Sequence, residues 1–326
     1  MRRPPPLSAC PVFPITTSII ALAVIACWRS WSGADIDLFL PGGEDWWLQP
    51  WRFVAPVLFH GDVIHLLFNV YWFWVFGTCL EMEYGPAKNL GLFLLFSVGT
   101  VAAEHAVLHN AIGLSGVVYG QFGLLWVLSG RDRRFHDAVD RQTVQLMVGW
   151  FFLCIVLSVL RIWPVANIAH GVGCVLGVLL GWTISGRNAM RRIGSGAALV
   201  AVLVLSVMGA TVVRPWVNFS GEVGHDFAYR GYRALVADDP ERALPLLERA
   251  VAANPNVAGW WFNLGIAYES LHRQDDAIRA YQRAAKLDPR NPKYKMIMWG
   301  AKLQTKDEDN ESPPDLPPSD SEHPQL

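Results

Sequence analysis

Charge is what the first two thirds of this chain lack. Over 326 residues, 27 Lys and Arg stand against 28 Asp and Glu, yet they thin out before about residue 215 and become dense after it. The near balance leaves no basic surplus to hold a polyanion, so nothing in the composition points to nucleic acid. The uneven placement marks a composition break and implies two domains of different class. Cysteine is scarce as well. Cys10, Cys27, Cys79, Cys154 and Cys174 all fall in the apolar part, and none has zinc-ligand spacing. They read as lipid-facing or core thiols and carry no information on redox compartment. A small-residue cleavage site is also missing after the first apolar run, where only Cys27-Trp28-Arg29-Ser30 follows. That run is therefore expected to stay as an anchor and not to be removed as a signal peptide, despite Arg2 and Arg3 before it.

What is present is a series of long apolar segments. A bilayer span takes about 20 mostly apolar residues. Seven segments qualify as candidates, at roughly 13–29, 63–80, 88–108, 115–130, 143–162, 165–185 and 195–213. The 131–141 loop holds Arg131, Arg133, Arg134 and Arg141, and the 186–194 loop holds Arg187, Arg191 and Arg192. The 30–62 loop instead carries Asp35, Asp37, Glu44 and Asp45. Basic loops stay in the cytoplasm, so the N-terminus is expected there. Seven spans then put the C-terminal domain on the opposite face; if the last segment does not insert, that domain is cytoplasmic.

Polar groups are costly in a bilayer, and the few found in apolar spans usually mark function. His65 and Asn69, four residues apart, share one helix face. Both donate hydrogen bonds, and donors aimed at one point stabilise a developing oxyanion; a polar clamp between helices is the other reading. Ser115 stands at the start of its span in Gly113-Leu114-Ser115-Gly116-Val117-Val118-Tyr119-Gly120. A helix N-terminus offers unpaired N–H groups and a positive dipole end to an exposed nucleophile, although serine among glycines also occurs where membrane helices simply pack closely. His170 shares a face with Gly173, Gly177 and Gly181. Gly116, Gly120 and Gly123 form a similar stripe beside Ser115. Two such stripes packed together would bring the imidazole to the hydroxyl, as a general base requires. No Asp is available in the apolar spans to orient that imidazole, and Tyr119, one turn below Ser115, is placed to stack on it.

Taken together these residues resemble the rhomboid intramembrane serine proteases. Trp51-Arg52, then His60, His65 and Asn69, match the first-loop Trp-Arg motif followed by His-x4-His-x3-Asn. Gly113-Leu114-Ser115-Gly116 matches Gly-x-Ser-Gly, and Ala169-His170-x2-Gly173-x3-Gly177 matches the sixth-helix motif. The resemblance covers about residues 13–185 and implies a fold and a set of roles. Ser115 would be the nucleophile and His170 the general base. His65, Asn69 and the Ser115 N–H would form the oxyanion hole, and Tyr119 would stack on the base. Trp51 and Arg52 would lie in a loop at the membrane surface, with His60 a structural contact inside it. The family cleaves peptide bonds in or near transmembrane segments and uses no metal or cofactor. One position departs from its pattern: Glu81-Met82-Glu83-Tyr84-Gly85 stands where Glu-x-Arg-x-Gly is usual. That change is expected to touch cytoplasmic bracing, not chemistry.

Downstream the sequence repeats with a period of 34. Trp261, Leu264, Gly265, Tyr268, Ala277, Tyr281, Ala284 and Pro289 match the tetratricopeptide pattern. The copy 34 residues earlier gives Phe227, Gly231, Ala243, Leu247, Ala250 and Pro255. His225 and His272 have no metal partners at useful spacing and are taken as solvated. Two repeats, 224–257 and 258–291, fall short of the usual minimum of about three, and 292–304 is expected to add a capping helix. Residues after 305 are rich in Pro, Ser and acidic side chains and read as a disordered tail.

The expected architecture is all-α: a membrane domain over 1–194, an extra seventh span at 195–214, a small tetratricopeptide solenoid over 222–304, and a 305–326 tail. The expected function is an intramembrane serine endopeptidase of a bacterial cytoplasmic membrane, with transmembrane proteins as substrates and a protein or peptide partner for the repeats. A non-catalytic adaptor binding transmembrane clients is the alternative, but relatives of that kind lack the dyad and both positions are filled here. A transporter or channel would need charge in several spans, and the main candidate is Glu104 alone.

Overall fold

The computed structural model describes residues 4–34, 36–41, 49–108, 111–220 and 223–294. The acidic loop residues Asp35, Glu44 and Asp45, the capping segment beyond 294 and the 305–326 tail lie outside the described residues. The chain divides into two compact units, Met1–Val217 and Asn218–Leu326.

The first unit is a helix bundle: α1 (Pro14–Trp31), α2 (Val63–Tyr84), α3 (Pro86–Val107), α4 (Ser115–Ser129), α5 (Arg141–Val159), α6 (Asn167–Ser185), α7 (Ala189–Ala210) and the short α8 (Arg214–Val217). All seven apolar segments are thus helical. Six are long and apolar enough to cross a membrane, and α4, at 15 residues, is shorter. Phe152, Leu153, Val156 and Val159 on α5 and Val200 and Leu205 on α7 are exposed. Such a surface is unsuited to water and natural in lipid. The protein is an integral membrane protein.

Helix starts leave N–H groups unpaired, and the sequence answers in two ways. Asp62, Asp140 and Asn188 cap α2, α5 and α7 locally, accepting the N–H of His65, Thr143 and Arg191 at 2.8, 2.8 and 2.9 Å. Neither α1 nor α6 has a side-chain cap of its own. Each is capped by a glutamate from another helix. For α1 it is Glu81 of α2, which accepts the Ile15 and Thr16 N–H at 2.9 and 2.8 Å, the Thr16 hydroxyl at 2.6 Å and the Asn89 amide at 3.1 Å. One carboxylate therefore ties α1, α2 and α3 together. Glu81→Ala would orphan these donors where no water replaces them. We expect a loss of about 2–4 kcal/mol, read as an earlier thermal unfolding midpoint in detergent; an unchanged midpoint refutes this account. Two residues on, Glu83 comes within electrostatic reach of Arg134, whose guanidinium lies 5.5 Å from the Tyr84 ring centroid. A basic loop thus faces the position where the family motif carries arginine.

The α4 helix forms the centre. Val117, Leu124, Leu125 and Leu128 have no exposed surface, and Tyr119 and Phe122 have almost none. It packs most closely on α6, where Cβ atoms on Gly173 and Gly177 would run into the backbone oxygens of Gly116 and Gly120. The α4 glycines themselves do not face α6 in the same way. Gly116 is closed by Thr100 and Gly120 by the Phe96 ring, both on α3, and only Gly123 meets the α6 backbone, at Cys174. The two stripes do pack together as the spacing suggested, Gly173 on Gly116 and Gly177 on Gly120, but not face to face. The α6 stripe admits the α4 backbone, and most of the α4 stripe admits α3.

The second unit holds two helix hairpins, α9 (Val223–Val236) with α10 (Pro240–Ala253) and α11 (Ala258–Ser270) with α12 (Gln274–Leu287). Their turns pass through the left-handed region at Asp238 and His272, both with φ 57°, and 272 − 238 returns the period of 34. The small residues do what the pattern requires. Gly231 leaves room for Leu247 and Gly265 for the Tyr281 ring, while Ala243, Ala250, Ala277 and Ala284 are completely buried. Tyr294, the last residue described, is buried against Phe262 at 5.1 Å. His225 is exposed, but its ring sits edge-on to Trp260 at 4.8 Å, so it packs as well as meeting solvent.

Candidate active site

Ser115 is the first residue of α4, so its own N–H and the next ones have no i−4 partner within the helix. The approach to it is tightly held. Gly113 adopts φ 104°, a conformation that glycine alone enters cheaply, and a Cβ there would lie 2.8 Å from the His65 ring. The Gly113 N–H donates to Pro56 O and the Leu114 N–H to His60 Nε2, both at 3.3 Å. Because that nitrogen accepts, the His60 proton sits on Nδ1, facing the Cys27 sulfur at 3.4 Å. Burial, with the neighbouring His65 second, pushes the His60 pKa down to about 3. The residue is a neutral strut under the serine loop.

His170 lies in the first turn of α6 and is buried to 3% exposure. Its Nε2 is 2.8 Å from Ser115 Oγ. Among the described residues its Nδ1 has no hydrogen-bond partner. The Tyr119 ring lies 4.7 Å away, tilted by 30°, and its hydroxyl is fixed by donating to Met147 O at 2.9 Å. The stacking ring is therefore held from the α5 side, a contact the sequence did not disclose.

A cavity of about 500 Å³ collects most of these groups; Ser115, His170, Tyr119, His65 and Asn69 all line it. One Asn69 amide proton is engaged with His65 O at 3.1 Å, and an amide carries a second. Trp51, Arg52, His60, Gly113, Gly116 and Gly173 do not line the cavity. Trp51 and Arg52 instead pin their own loop, donating to Leu38 O at 3.3 Å and Leu40 O at 2.9 Å. Among the described residues, no three His, Cys, Asp or Glu side chains are grouped to hold a metal ion.

Glu104 also lines the cavity and accepts the Ala169 N–H at 2.9 Å. By sequence alone Glu104 stands out only as a candidate for an ion path. The signal was there, an acidic residue in an apolar span, but its partner is a backbone group 65 residues away. On the far wall, Ser158 Oγ accepts from Asn167 Nδ2 at 2.8 Å and from the Val165 N–H at 3.3 Å, fastening the α5–α6 connection.

Comparison with known proteins shows the family. A rhomboid domain model matches residues 48–187, and a tetratricopeptide repeat model matches 230–292. Rhomboid protease GlpG of Haemophilus influenzae is 30% identical over 179 residues, which are 52% of this chain and 89% of that protein. Rhomboid protease GlpG of Yersinia pseudotuberculosis is 27% identical over 198 residues, 55% of this chain and 66% of the relative's length. The Yersinia pestis protein of the same name matches at 27% over 198 residues. The chain belongs to the rhomboid family and carries tetratricopeptide repeats after its membrane helices.

Proposed function

We propose that this protein is an intramembrane serine endopeptidase that cleaves transmembrane segments of other membrane proteins with a Ser115–His170 dyad. The observation that carries the reading is the 2.8 Å contact between Ser115 Oγ and His170 Nε2 on a cavity enclosed by apolar helices. His170 Nε2 takes the hydroxyl proton as Ser115 attacks the scissile carbonyl, and returns it to the leaving amine. Water then enters the cavity and hydrolyses the acyl-enzyme by the same proton route. The developing oxyanion is met by the Ser115 N–H, the His65 ring and the free Asn69 amide proton. Tyr119 holds the imidazole plane in place of an orienting carboxylate.

The depth of the site follows from the length of α4. Its 15 residues rise about 22 Å against a hydrocarbon core of about 30 Å, so a nucleophile at its N-terminus sits below the membrane surface. A substrate helix must unwind to reach it. The basic loops favour a cytoplasmic N-terminus; in a bacterial inner membrane, with seven spans, the repeats then face outward, where they recruit protein partners or substrates.

A serine-reactive fluorophosphonate tests the reading without a known substrate. Wild-type protein is expected to label, and Ser115→Ala and His170→Ala to lose the label. Label that survives Ser115→Ala, or well-folded wild type that stays unlabelled in both detergent and lipid, overturns it.

A further inference from the structure

Two buried glutamates in apolar helices each cap a helix other than their own, and they differ in what that helix carries. Glu81 caps α1, which bears no reacting group. Glu104 caps α6 one residue before His170. It is 4% exposed, accepts the Ala169 N–H at 2.9 Å and is also approached by the Ile168 N–H. The α6 helix brings no cap of its own: its N-cap residue is Ala166, without a polar side chain.

The backbone that carries Glu104 is itself held. Glu104 stands in the last turn of α3, where its own carbonyl accepts the Leu108 N–H at 2.8 Å. Beyond it the Leu108 carbonyl accepts from Arg214 Nη1 at 3.3 Å. The end of α3 is thus closed by a cation from α8, which holds the backbone that carries the Glu104 side chain. The α4–α6 seam fixes the spacing of the two helices, but among the described residues the His170 ring itself is loosely held: Nδ1 has no partner, and Tyr119 constrains the ring plane but not its height along the Ser115 Oγ direction.

We infer that Glu104 is a positioning residue for the general base: by accepting the first N–H groups of α6 it sets the register of that helix, and so the Ser115–His170 distance. The inference rests on the proposed dyad chemistry. Gln at 104 keeps an acceptor oxygen for Ala169, whereas Leu keeps bulk and loses it. A helix start orphaned inside a bilayer finds other partners by sliding or fraying, and a displacement of about 1 Å costs about 10²-fold in rate.

The test is the rate of fluorophosphonate labelling at saturating probe, counted per folded molecule in the full-length protein. Glu104→Leu is expected to label at least ~30-fold more slowly with unchanged probe affinity, and Glu104→Gln to stay within about threefold of wild type. A merely structural glutamate would lower the thermal midpoint and leave the rate per folded molecule alone; that result overturns the inference. So does a Gln variant as slow as Leu. If the Leu variant does not fold, Glu104→Asp, which withdraws the acceptor by one methylene, is judged by the same criteria. Ser115→Ala is run beside them. Wild type that fails to label sinks the protease reading itself, while normal wild-type labelling with an equally fast Leu variant sinks only this inference.

Discussion

Ser115→Ala is expected to lower kcat toward a transmembrane substrate by at least about 10⁴-fold, with KM little changed. In the proposed mechanism the substrate contacts the cavity walls, which the substitution leaves intact, while the acyl-enzyme path disappears altogether. His170→Ala is expected to cost nearly as much, because a serine hydroxyl is a weak nucleophile without a base to take its proton. The double variant should be no worse than either single one, since the two residues act as a unit and their losses do not add. His65→Ala and Asn69→Ala belong to a milder class, about 10²–10³-fold each, as expected for the loss of one oxyanion donor. Cleavage of a fluorogenic transmembrane substrate in lipid vesicles measures all of these. Double-variant losses that multiply would mean that serine and histidine do not share one step.

Much of this arrangement was legible in the sequence for one reason: in an apolar span a polar residue stands out. Ser115, His170, His65 and Asn69 could be picked because their neighbours are Leu, Val and Gly, and the structure brings all four to one cavity. The tetratricopeptide hairpins were legible through a different device, small residues at fixed offsets, and Gly265 against Tyr281 and Gly231 against Leu247 give that spacing its meaning. What could not be read was any pairing between a side chain and a distant backbone. Glu81 with Ile15 and Glu104 with Ala169 are of this kind, since backbone N–H groups look alike at every position. The glycine stripes show the same limit. Their spacing located the faces, but a glycine makes room for whatever comes, and only the packed helices reveal that Gly116 and Gly120 yield to Thr100 and Phe96.

That packing makes Gly177 the most sensitive position away from the reacting atoms. A Cβ there would overlap the Gly120 carbonyl and lie 2.7 Å from the Leu124 nitrogen. Both are backbone atoms of α4, and unlike a long side chain they cannot rotate away. Gly177→Val must therefore drive α4 and α6 apart along the seam that carries Ser115 on one side and His170 on the other. Seven residues separate Gly177 from His170, about 10 Å of helix, too short a lever for the dyad to escape the separation. The expected result is a loss of at least about 10²-fold in kcat, from a displacement of order 1 Å, together with about 1–3 kcal/mol of stability from overpacking. Gly149→Ala on the outward α5 is the matched control, since nothing lies within 4 Å of its added Cβ; it should leave both quantities unchanged or gain slightly in helix propensity. Cleavage rate and thermal midpoint measured on both variants decide the matter. A Gly177→Val protein with wild-type activity would mean that the α4–α6 seam does not set the distance between Ser115 and His170.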